Sequence, residues 1–342
     1  MRKYLLLVIL LLAAACPPLL AQAMLQVKGR FLVDPKGRKI ILRGVNEMFI
    51  WSKTDLTGAR TLPEIAKTGA NVVRLAWLSA ADNPRATAAN LDALISNCIA
   101  AGMIPMPELH GATGKWEKLE KQVDYWVSPE VLRVLKKHEA YLLVNIANEA
   151  GDATVTDEQF KAGYAQAIAR LRQAGLRCPL VIDAANWGQG IDILQANAPY
   201  LINQDPLHNL LFSVHMWWTA PDGATDRIKQ EIAESVALNL PLIVGEFAPM
   251  GVGCARSIDY TTIMAECQDK QIGWLAWSWG LVDNGDCPLM DMTSNTAKGL
   301  FAGLTGWGLE VAVRDKNSIK NTARPNRYIR SFARSRTRGA GR

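Results

Sequence analysis

The sequence predicts an α/β protein whose main domain is a single closed barrel of eight parallel strands, a (β/α)8 barrel. Three observations support this prediction. Apolar runs that end at turn-forming residues alternate with helix-like stretches along the chain. The runs recur at a spacing of roughly thirty residues, as strand–helix units do. The segment that contains them, residues 24–322, has no internal linker or short-period repeat and is long enough for one elaborated barrel.

The eight apolar runs are the expected barrel strands, because strands buried on both faces are typical of a parallel sheet. They span 40–45, 71–76, 103–108, 141–147, 180–184, 210–214, 241–245 and 273–278. Residues with helical periodicity lie between them, for example at 87–101, 156–175, 225–238 and 257–271. An open doubly wound sheet is the alternative. It is disfavoured because Gly44-Val-Asn46, after the first run, does not form a G-x-G-x-x-G turn.

A β-hairpin is expected ahead of the barrel. Its strands would be 25–33 and 38–43, and the turn-forming residues Asp34-Pro35-Lys36-Gly37 lie between them. We expect this hairpin to close the bottom of the barrel.

Residues 1–23 are predicted to be a signal peptide. Arg2-Lys3 precedes an apolar stretch at 4–15 that is too short to span a bilayer, and Ala21-Gln22-Ala23 has the A-x-A form of a cleavage site. The mature chain is therefore expected to be secreted or periplasmic, with no membrane span. Ala14-Ala15-Cys16 offers lipoprotein anchoring as an alternative, although alanine stands where such sites prefer leucine.

The formal net charge of +6 comes from the two ends of the chain. Residues 324–342 contain seven arginines and no acid, and Arg2-Lys3 belongs to the predicted signal peptide. Without these nine charges the remaining body carries −3. A nucleic-acid binder carries its positive charge on the folded body, so we expect no nucleic-acid partner. Residues 323–342 are predicted to form a basic, disordered tail.

Five cysteines follow the predicted signal peptide, and an odd number leaves at least one free thiol in an oxidising compartment. None lies in a C-x-x-C or histidine-rich segment, so no zinc site is expected. Cys254 and Cys287 fall in the loops after two consecutive predicted strands and are the expected disulfide pair. Cys98 lies in an apolar helical stretch and is expected in the core. The states of Cys178 and Cys267 are left open.

Two glutamates stand where an α/β barrel places its chemistry. Glu149 follows the run at 141–147, and Glu246 follows the run at 241–245. The carboxyl ends of the barrel strands form the active face of this fold, so both side chains should enter one pocket. Two carboxyl groups in one pocket can cleave a glycosidic bond. The structural alternative is that each glutamate caps a helix or pairs with an arginine, which explains one glutamate more readily than both.

Residues suited to binding a sugar end several other predicted strands. They are Arg74, His110, Asn148, His215 and Trp277. Taken singly, each histidine could equally be a buried structural residue. Arg74 could be a structural ion-pair partner. An indole face stacks on the apolar face of a pyranose, and several tryptophans are candidates for such contacts. These are Trp51, Trp77, Trp126, Trp187, Trp217 and Trp218.

The two glutamates and the sugar-binding candidates together indicate hydrolysis of a glycosidic bond with retention of configuration. One carboxyl group is protonated at rest and donates to the leaving oxygen, while the other is ionised and attacks the anomeric carbon. An arginine beside the second group would lower its pKa and keep it ionised. The two carboxyl groups should lie about 5–5.5 Å apart. This chemistry needs no metal and no organic cofactor, and the chain is expected to act as a monomer.

The chain resembles glycoside hydrolase family five, of the clan of retaining (β/α)8 glycosidases, over about residues 38–313. Six motifs in the same order carry the resemblance. They are Arg43-Gly-Val-Asn46, Asn71-Val-Val-Arg74, Val144-Asn-Ile-Ala-Asn148-Glu149, Ser213-Val-His215, Val244-Gly-Glu246-Phe247 and Trp274-Leu-Ala-Trp277-Ser-Trp279. The resemblance implies that Glu149 is the acid/base and Glu246 the nucleophile. It also implies that Arg74 and His215 lie near the nucleophile. Asn148 would bind the substrate, and Trp277 would be the platform for the cleaved sugar.

Within that family, four stretches are most similar to bacterial endo-β-1,4-mannanases. They are Leu109-His110-Gly-Ala-Thr-Gly114, Val123-Asp-Tyr-Trp126-Val127, Val181-Ile-Asp183-Ala-Ala-Asn-Trp187-Gly-Gln189 and Trp274-Leu-Ala-Trp277-Ser-Trp279. The residues expected to bind the substrate are therefore Arg74, His110, Asn148, His215, Trp217, Trp277, Trp187 and Trp126.

Three positions depart from the family pattern. Ala150-Gly151 follows the acid in place of a proline or tryptophan, which is expected to open space beside Glu149. Trp217 replaces a tyrosine that donates to the nucleophile, and it can donate only through its indole N–H. The loop Asp283-Asn-Gly-Asp-Cys287 is less glycine-rich than that of a mannanase.

The leading interpretation is therefore an endo-β-1,4-mannanase acting on mannan or glucomannan, and the alternative is an endo-β-1,4-glucanase. A transglycosylase on the same groups is left open. A carbohydrate-binding barrel without activity would have lost one carboxylate, yet both are present. A phosphate-binding barrel is disfavoured, since no glycine-rich phosphate loop follows the last two strands. Endo action is expected from a wide cleft, with Ala150 on one side and Trp217 and Trp218 as stacking surfaces on the other.

Overall fold

Eleven strands are present in the computed structural model, which describes residues 23–221, 223–325 and 328–329. They are β1 (Gln26–Lys28), β2 (Phe31–Val33), β3 (Lys39–Ile40), β4 (Arg43–Glu47), β5 (Val72–Trp77), β6 (Ile104–Leu109), β7 (Val144–Asn145), β8 (Leu180–Asp183), β9 (Leu210–His215), β10 (Leu242–Glu246) and β11 (Gly273–Ala276). Strands β4 to β11 close a barrel in which every pair is parallel. The predicted (β/α)8 fold is confirmed.

The α-helices of the described residues surround the barrel. They are α1 (Thr61–Ala66), α2 (Ala88–Ala100), α3 (Leu119–Val127), α4 (Pro129–His138), α5 (Asp157–Gln173), α6 (Ile191–Gln204), α7 (Thr225–Ala237), α8 (Tyr260–Asp269), α9 (Gly306–Leu309) and α10 (Ile319–Thr322). Helices α1 to α8 connect the barrel strands, and α9 and α10 follow β11. The α2 helix buries Leu91, Leu94, Ile95, Cys98 and Ile99, the face expected of an amphipathic helix against a sheet. Cys98 therefore lies in the core, as predicted.

Local sequence signals fix where these helices begin and end. The α5 helix begins at a capping box, in which the Thr156 hydroxyl accepts from the Gln159 backbone and the Gln159 side chain accepts from the Thr156 backbone. The α2 helix ends at Ala100, and Gly102, two residues later, has a φ of 83°. Gly102 N–H bonds the Ile99 carbonyl and Met103 N–H bonds the Cys98 carbonyl. The chain therefore turns after α2 and enters β6 at Ile104.

The N-terminal sheet differs from the predicted hairpin. It has three antiparallel strands, because the chain turns at Gly29-Arg30 as well as at the predicted turn 34–37. Gly29 has a φ of 56°, a conformation that glycine adopts without strain. The sheet lies at the amino ends of the barrel strands, as expected, since Val27 N–H donates to Asn209 Oδ1, just before β9, at 2.8 Å.

The β7 strand is much shorter than the predicted run 141–147. Its neighbour β6 contains Pro105 and Pro107, which have no N–H to donate. The carbonyl of Pro105 accepts from Leu143 N–H at 3.1 Å, so this side of β6 faces β7. The ladder between the two strands therefore lacks two donors, and only Glu108 and Asn145 pair in register.

The predicted signal peptide, apart from Ala23, lies outside the described residues, as does most of the predicted tail 323–342. No helix among the described residues is both long enough and apolar enough to cross a membrane.

Candidate active site

A cleft of about 600 Å³ opens at the carboxyl ends of the barrel strands. Its walls combine four carboxyl groups with three indole rings and several other polar side chains. Among its lining residues are His110, Thr113, Glu149, Trp187, Trp217, Glu246, Trp277 and Asn284. Most of the predicted site residues therefore meet in one cavity.

Glu149 and Glu246 enter this cleft from β7 and β10, two strands that β8 and β9 separate in the barrel. Glu246 is the last residue of β10, where the pairing with β9 shifts register between Val244 and Glu246. Such an irregularity re-aims a side chain, here toward the mouth of the barrel. Glu149 follows β7 and has a φ of 47°, which is uncommon for a residue with a Cβ. Carboxylate oxygens of the two residues lie within 4.8 Å of each other, together with a ring nitrogen of His215.

Arg74 holds Glu246 from below. Its Nη1 donates to Glu246 Oε1 at 2.7 Å, and its Nη2 donates to Asn148 Oδ1 at 2.6 Å and to Asp183 Oδ2 at 3.0 Å. Its Nε donates to Asn145 Oδ1 at 2.8 Å. The guanidinium is buried, so the prediction that Arg74 binds substrate is wrong. It orients the nucleophile candidate instead.

His215 lies between the two glutamates and is also buried. Its Nδ1 is 2.6 Å from Glu149 Oε1 and 3.4 Å from Glu246 Oε2. The ring packs on glycine backbone, since an added Cβ would lie 2.6 Å from its Cγ at Gly188 and 2.9 Å from its Nε2 at Gly245. No room remains for a sugar against this ring. His215 was predicted to bind substrate and instead contacts both carboxyl groups.

The surroundings give the two carboxyl groups different proton affinities. Burial raises the pKa of Glu149 well above its usual range, and the charges of Glu246 and Asp183 raise it further. Burial also raises the pKa of Glu246, but Arg74 opposes this shift and the pKa rises only to about 7. Burial and the charge of Arg74 lower the pKa of His215 well below its usual range. These shifts favour a proton on Glu149 over one on Glu246, and they favour the neutral form of His215.

Trp217 takes the position at which the family has a tyrosine. Its indole N–H donates to Glu246 Oε2 at 3.2 Å. Together with Arg74 on Oε1, this bond gives Glu246 one donor on each oxygen. The replacement thus keeps the hydrogen bond to the nucleophile candidate, as the donor capacity of an indole allows.

Asn148 and Thr113 form a pair beside Glu149. Asn148 Nδ2 donates to Thr113 Oγ1 at 2.8 Å, while Asn148 Oδ1 accepts from Arg74. Asn148 is fully buried, and its Nδ2 atom carries a second hydrogen that the bond to Thr113 does not use, so its contact with a sugar hydroxyl stays a prediction.

Trp277 and His110 form the floor at the other end of the cleft. Their rings stack with centroids 5.6 Å apart, and Trp277 Nε1 donates to Asn284 Oδ1 at 2.7 Å. His110 Nδ1 lies 2.8 Å from Glu108 Oε1. Burial lowers the pKa of His110, but the charge of Glu108 and its hydrogen bond outweigh this and raise it. Trp277 is thus held as a fixed surface beside a histidine that carries charge more readily than usual.

Three of the tryptophans considered as sugar contacts lie elsewhere. Trp126 is buried and donates to the Ile146 carbonyl at 2.8 Å, so the prediction that it binds substrate is wrong. Trp77 is buried and donates to the Tyr125 hydroxyl. Trp218 is 3% exposed, donates to the Gln189 carbonyl and is covered by Arg227, so it offers no stacking surface to the cleft. Trp187, in contrast, is 45% exposed at the rim.

The small residues after Glu149 do not widen the cleft. Ala150 is fully buried, and a Cβ at Gly151 would lie 2.3 Å from Val155 and 3.3 Å from Trp116. Gly151 also has a φ of 94°. The space expected to be open beside Glu149 is therefore filled by Trp116 and Val155, and the prediction of a cleft widened by Ala150 and Gly151 is wrong.

Glu149, His215 and Glu246 are close enough together to form a metal-binding set. Each is already engaged, however, because Arg74 bonds Glu246 and His215 Nδ1 contacts Glu149. The three side chains are thus bonded to each other or to Arg74.

A disulfide joins the loops that form one rim of the cleft. It links Cys254 and Cys287, the expected pair, whose Cα atoms are 5.1 Å apart. Cys98, Cys178 and Cys267 are free and buried. The bridge fixes Cys287 next to Asn284, whose carbonyl accepts from Cys287 N–H at 3.0 Å.

Four polar residues of the site were not assigned a role from the sequence: Glu108, Asn145, Asp183 and Asn284. Glu108 and Asp183 are fully buried acids on β6 and β8. The signal that identified Glu246, an acid at the end of an apolar run, is also present at Asp183.

Comparison with known proteins agrees with this geometry. The sequence pattern of the family described as "Cellulase (glycosyl hydrolase family 5)" matches residues 33–282. The chain is similar to a mannan endo-1,4-beta-mannosidase of Cellvibrio japonicus (strain Ueda107), with 34% identity over 309 residues, 89% of this chain and 69% of that protein. A second such protein, from Streptomyces lividans, is 32% identical over 86% of this chain and 74% of its own length.

Solved structures show the same likeness. The chain matches a beta-mannanase from Thermomonospora fusca with a TM-score of 0.81 and 30% identity, over 90% of this chain and 99% of that one.

Proposed function

Because the chain belongs to glycosyl hydrolase family 5, we propose that it cleaves internal β-1,4 bonds of mannan or glucomannan with retention of configuration. As a member of this family the chain is a glycoside hydrolase. The observation that carries the proposed mechanism is the pair Glu149 and Glu246, because one carboxylate oxygen of Glu149 lies within 4.8 Å of one carboxylate oxygen of Glu246. Inverting enzymes leave roughly 6.5–9.5 Å between their carboxyl groups to hold a water, so the shorter separation supports retention.

Glu149 is the proposed acid/base and Glu246 the proposed nucleophile. In the first step Glu246 attacks the anomeric carbon while the proton of Glu149 passes to the leaving oxygen, which gives a covalent glycosyl-enzyme. In the second step Glu149 takes a proton from water, the water oxygen attacks the same carbon, and Glu246 leaves. Two inversions at that carbon give net retention.

The charges around Glu149 support its change of role between the two steps. The negative charge of Glu246 helps to raise the pKa of Glu149. Once Glu246 is esterified this charge is gone, so the pKa of Glu149 falls and the group accepts a proton from water. Arg74 and Trp217 then stabilise Glu246 as it leaves, because each donates to one of its oxygens.

The proposed substrate rests on the relatives, several of which are named mannan endo-1,4-beta-mannosidases. The predicted signal peptide supports export, which brings the enzyme to an extracellular polysaccharide. An endo-β-1,4-glucanase on the same groups is the less favoured alternative.

A panel of soluble polysaccharides tests this proposal. We expect initial rates of reducing-end release on glucomannan and galactomannan to exceed those on carboxymethyl cellulose, barley glucan and xylan by about tenfold or more. Mixed oligosaccharides should appear in the first minutes. Activity on the glucans with none on the mannans would contradict the mannan proposal, and a disaccharide as the sole early product would contradict endo action.

Trp187 is the proposed stacking surface at the rim. Trp187→Ala should raise KM on glucomannan about tenfold with a small effect on kcat, since losing one stacking surface costs on the order of 1–1.5 kcal/mol. Tyr200→Ala is the matched control, because Tyr200 is 43% exposed on α6 and does not line the cleft. Equal KM values for the wild type and the Trp187 variant would refute this role.

A further inference from the structure

We infer that Asp183 is a positioning residue of the active site. Its carboxylate holds the backbone of Glu149 and the guanidinium of Arg74, and it fixes which ring nitrogen of His215 carries the hydrogen. This inference rests on the proposed function, because it concerns the proton of the proposed acid. Asp183 ends β8 and is fully buried, so it acts through its neighbours and does not touch the substrate.

The first contact of Asp183 is with the main chain of Glu149. Asp183 Oδ2 accepts from Glu149 N–H at 3.2 Å. The Glu149 carbonyl in turn accepts from Gly114 N–H at 2.9 Å. The backbone N–H and the carbonyl of Glu149 are thus both hydrogen-bonded. These bonds hold its φ at 47°, a conformation that is unfavourable for a residue with a Cβ. Asp183 therefore helps to hold the backbone that aims the acid into the cleft.

The second contact extends to the nucleophile. Asp183 Oδ2 accepts from Arg74 Nη2 at 3.0 Å, and Asp183 Oδ1 accepts from Asn145 Nδ2 at 3.0 Å. Arg74 also bonds Glu246 Oε1 through Nη1. The planar guanidinium has a fixed fork geometry, so a carboxylate that holds one end of it also sets the direction of the other. Asp183 thereby helps to orient Glu246 through Arg74.

The third contact concerns the tautomer of His215. Its Nε2 lies 3.5 Å from Asp183 Oδ2 and has no hydrogen-bond partner among the described residues. A carboxylate facing this nitrogen favours a hydrogen there over a lone pair, which leaves Nδ1 as the acceptor. Nδ1 lies 2.6 Å from Glu149 Oε1, so the hydrogen between them belongs to Glu149. Asp183 in this way keeps the acid protonated at rest.

The charge of Asp183 acts in the same direction. Burial, the charge of Glu246 and the charge of Asp183 all raise the pKa of Glu149. The charged and titratable groups around the acid come from five strands and the loop after β6: Arg74 of β5, Glu108 of β6, His110, Asp183 of β8, His215 of β9 and Glu246 of β10. Tyr164 of α5 is also influenced by Asp183, whose charge adds to burial in raising the tyrosine pKa.

Asp183→Asn tests the inference, with kcat/KM on glucomannan measured against pH. Removing the negative charge lowers the pKa of Glu149, so the acid loses its proton at lower pH. The alkaline limb of the profile should move to lower pH by about one unit. At the optimum, kcat should fall about tenfold to a hundredfold with KM within about twofold, because alignment and not binding is lost.

Asp205→Asn is the matched control. Asp205 is likewise fully buried and bonds an arginine, Arg172 Nε at 2.8 Å, but it lies in the loop before β9 and outside the cleft. Its variant should keep the wild-type pH profile. A profile and kcat for Asp183→Asn that match the wild type would overturn the inference.

Nitrogen-15 NMR of the histidines in the wild-type protein gives a second readout that survives if Asp183→Asn does not fold. We expect neutral His215 with its hydrogen on Nε2, and a hydrogen on Nδ1 would overturn the inference. Wild-type protein that hydrolyses none of the polysaccharides would refute the proposed function alone, and the tautomer would then decide the role of Asp183.

Discussion

Replacing Glu246 by alanine is expected to lower kcat on glucomannan by about four orders of magnitude or more. The reason is that no other carboxylate among the described residues both lines the cleft and lies within reach of Arg74 and Trp217. The rate is measured as reducing ends released at the optimum pH. Glu139→Gln serves as a control, because Glu139 is buried but contacts the backbone of Arg177 away from the cleft.

Azide should restore part of the activity of this variant on an aryl mannoside. The anion fits the space left by the carboxylate and attacks the anomeric carbon once, so the product is a glycosyl azide of inverted configuration. A Glu246→Ala enzyme that keeps more than about a tenth of the wild-type kcat would show that another group is the nucleophile.

Replacing Glu149 by alanine is expected to lower kcat/KM on glucomannan by about three orders of magnitude. Formation of the glycosyl-enzyme from an aryl mannoside with a good leaving group should be affected far less, because such a group leaves without protonation. Pre-steady-state release of the phenol measures this step. An equal loss on both substrates would contradict the assignment of Glu149 as the acid.

The two carboxyl groups should produce different limbs of the profile of kcat/KM against pH, and Glu149→Ala should remove one of them. The acid works when protonated, and its raised pKa keeps it so at neutral pH, so wild-type kcat/KM falls as pH rises through the pKa of Glu149. The nucleophile works when ionised, so kcat/KM also falls as pH drops through the pKa of Glu246. Glu149→Ala should lose the alkaline limb and keep the acid limb. A persisting alkaline limb would assign it to another group.

The barrel was predictable because its strands are buried on both faces and read as apolar runs. Where an observed strand differs from the predicted one, the cause is a contact between neighbouring strands that the apolar pattern of one strand does not reveal. The predicted strand at 141–147 is reduced to Val144–Asn145 because Pro105 and Pro107 of the neighbouring strand cannot donate. The pairing that makes those prolines matter exists only in the folded barrel.

The positions of Glu149 and Glu246 were predictable because a residue directly after a barrel strand lies at the active face whatever the details of packing. The positions of the aromatic residues were harder to predict from the sequence. Trp187 lies on the rim and Trp126 in the core, although both were expected to bind the sugar. An indole in a helix or loop can point into the core or toward the solvent. Its orientation depends on residues that are distant in sequence.

The buried network was not predicted for a similar reason. Asp183 and Asn145 become partners of Arg74 only when the stagger of the strands brings β5, β7 and β8 to one level. The filled space beside Ala150 likewise depends on Trp116, which lies on a different loop. Residue type and order in the chain do not encode these contacts directly.

The anomeric configuration of the first product tests the central claim most directly. Proton NMR of glucomannan hydrolysis, recorded in the first minutes before mutarotation, distinguishes the two outcomes. Double displacement by Glu246 and Glu149 predicts that new reducing ends appear first as the β-anomer and then convert to the α-anomer. Initial appearance of the α-anomer would show a single displacement and would contradict the account.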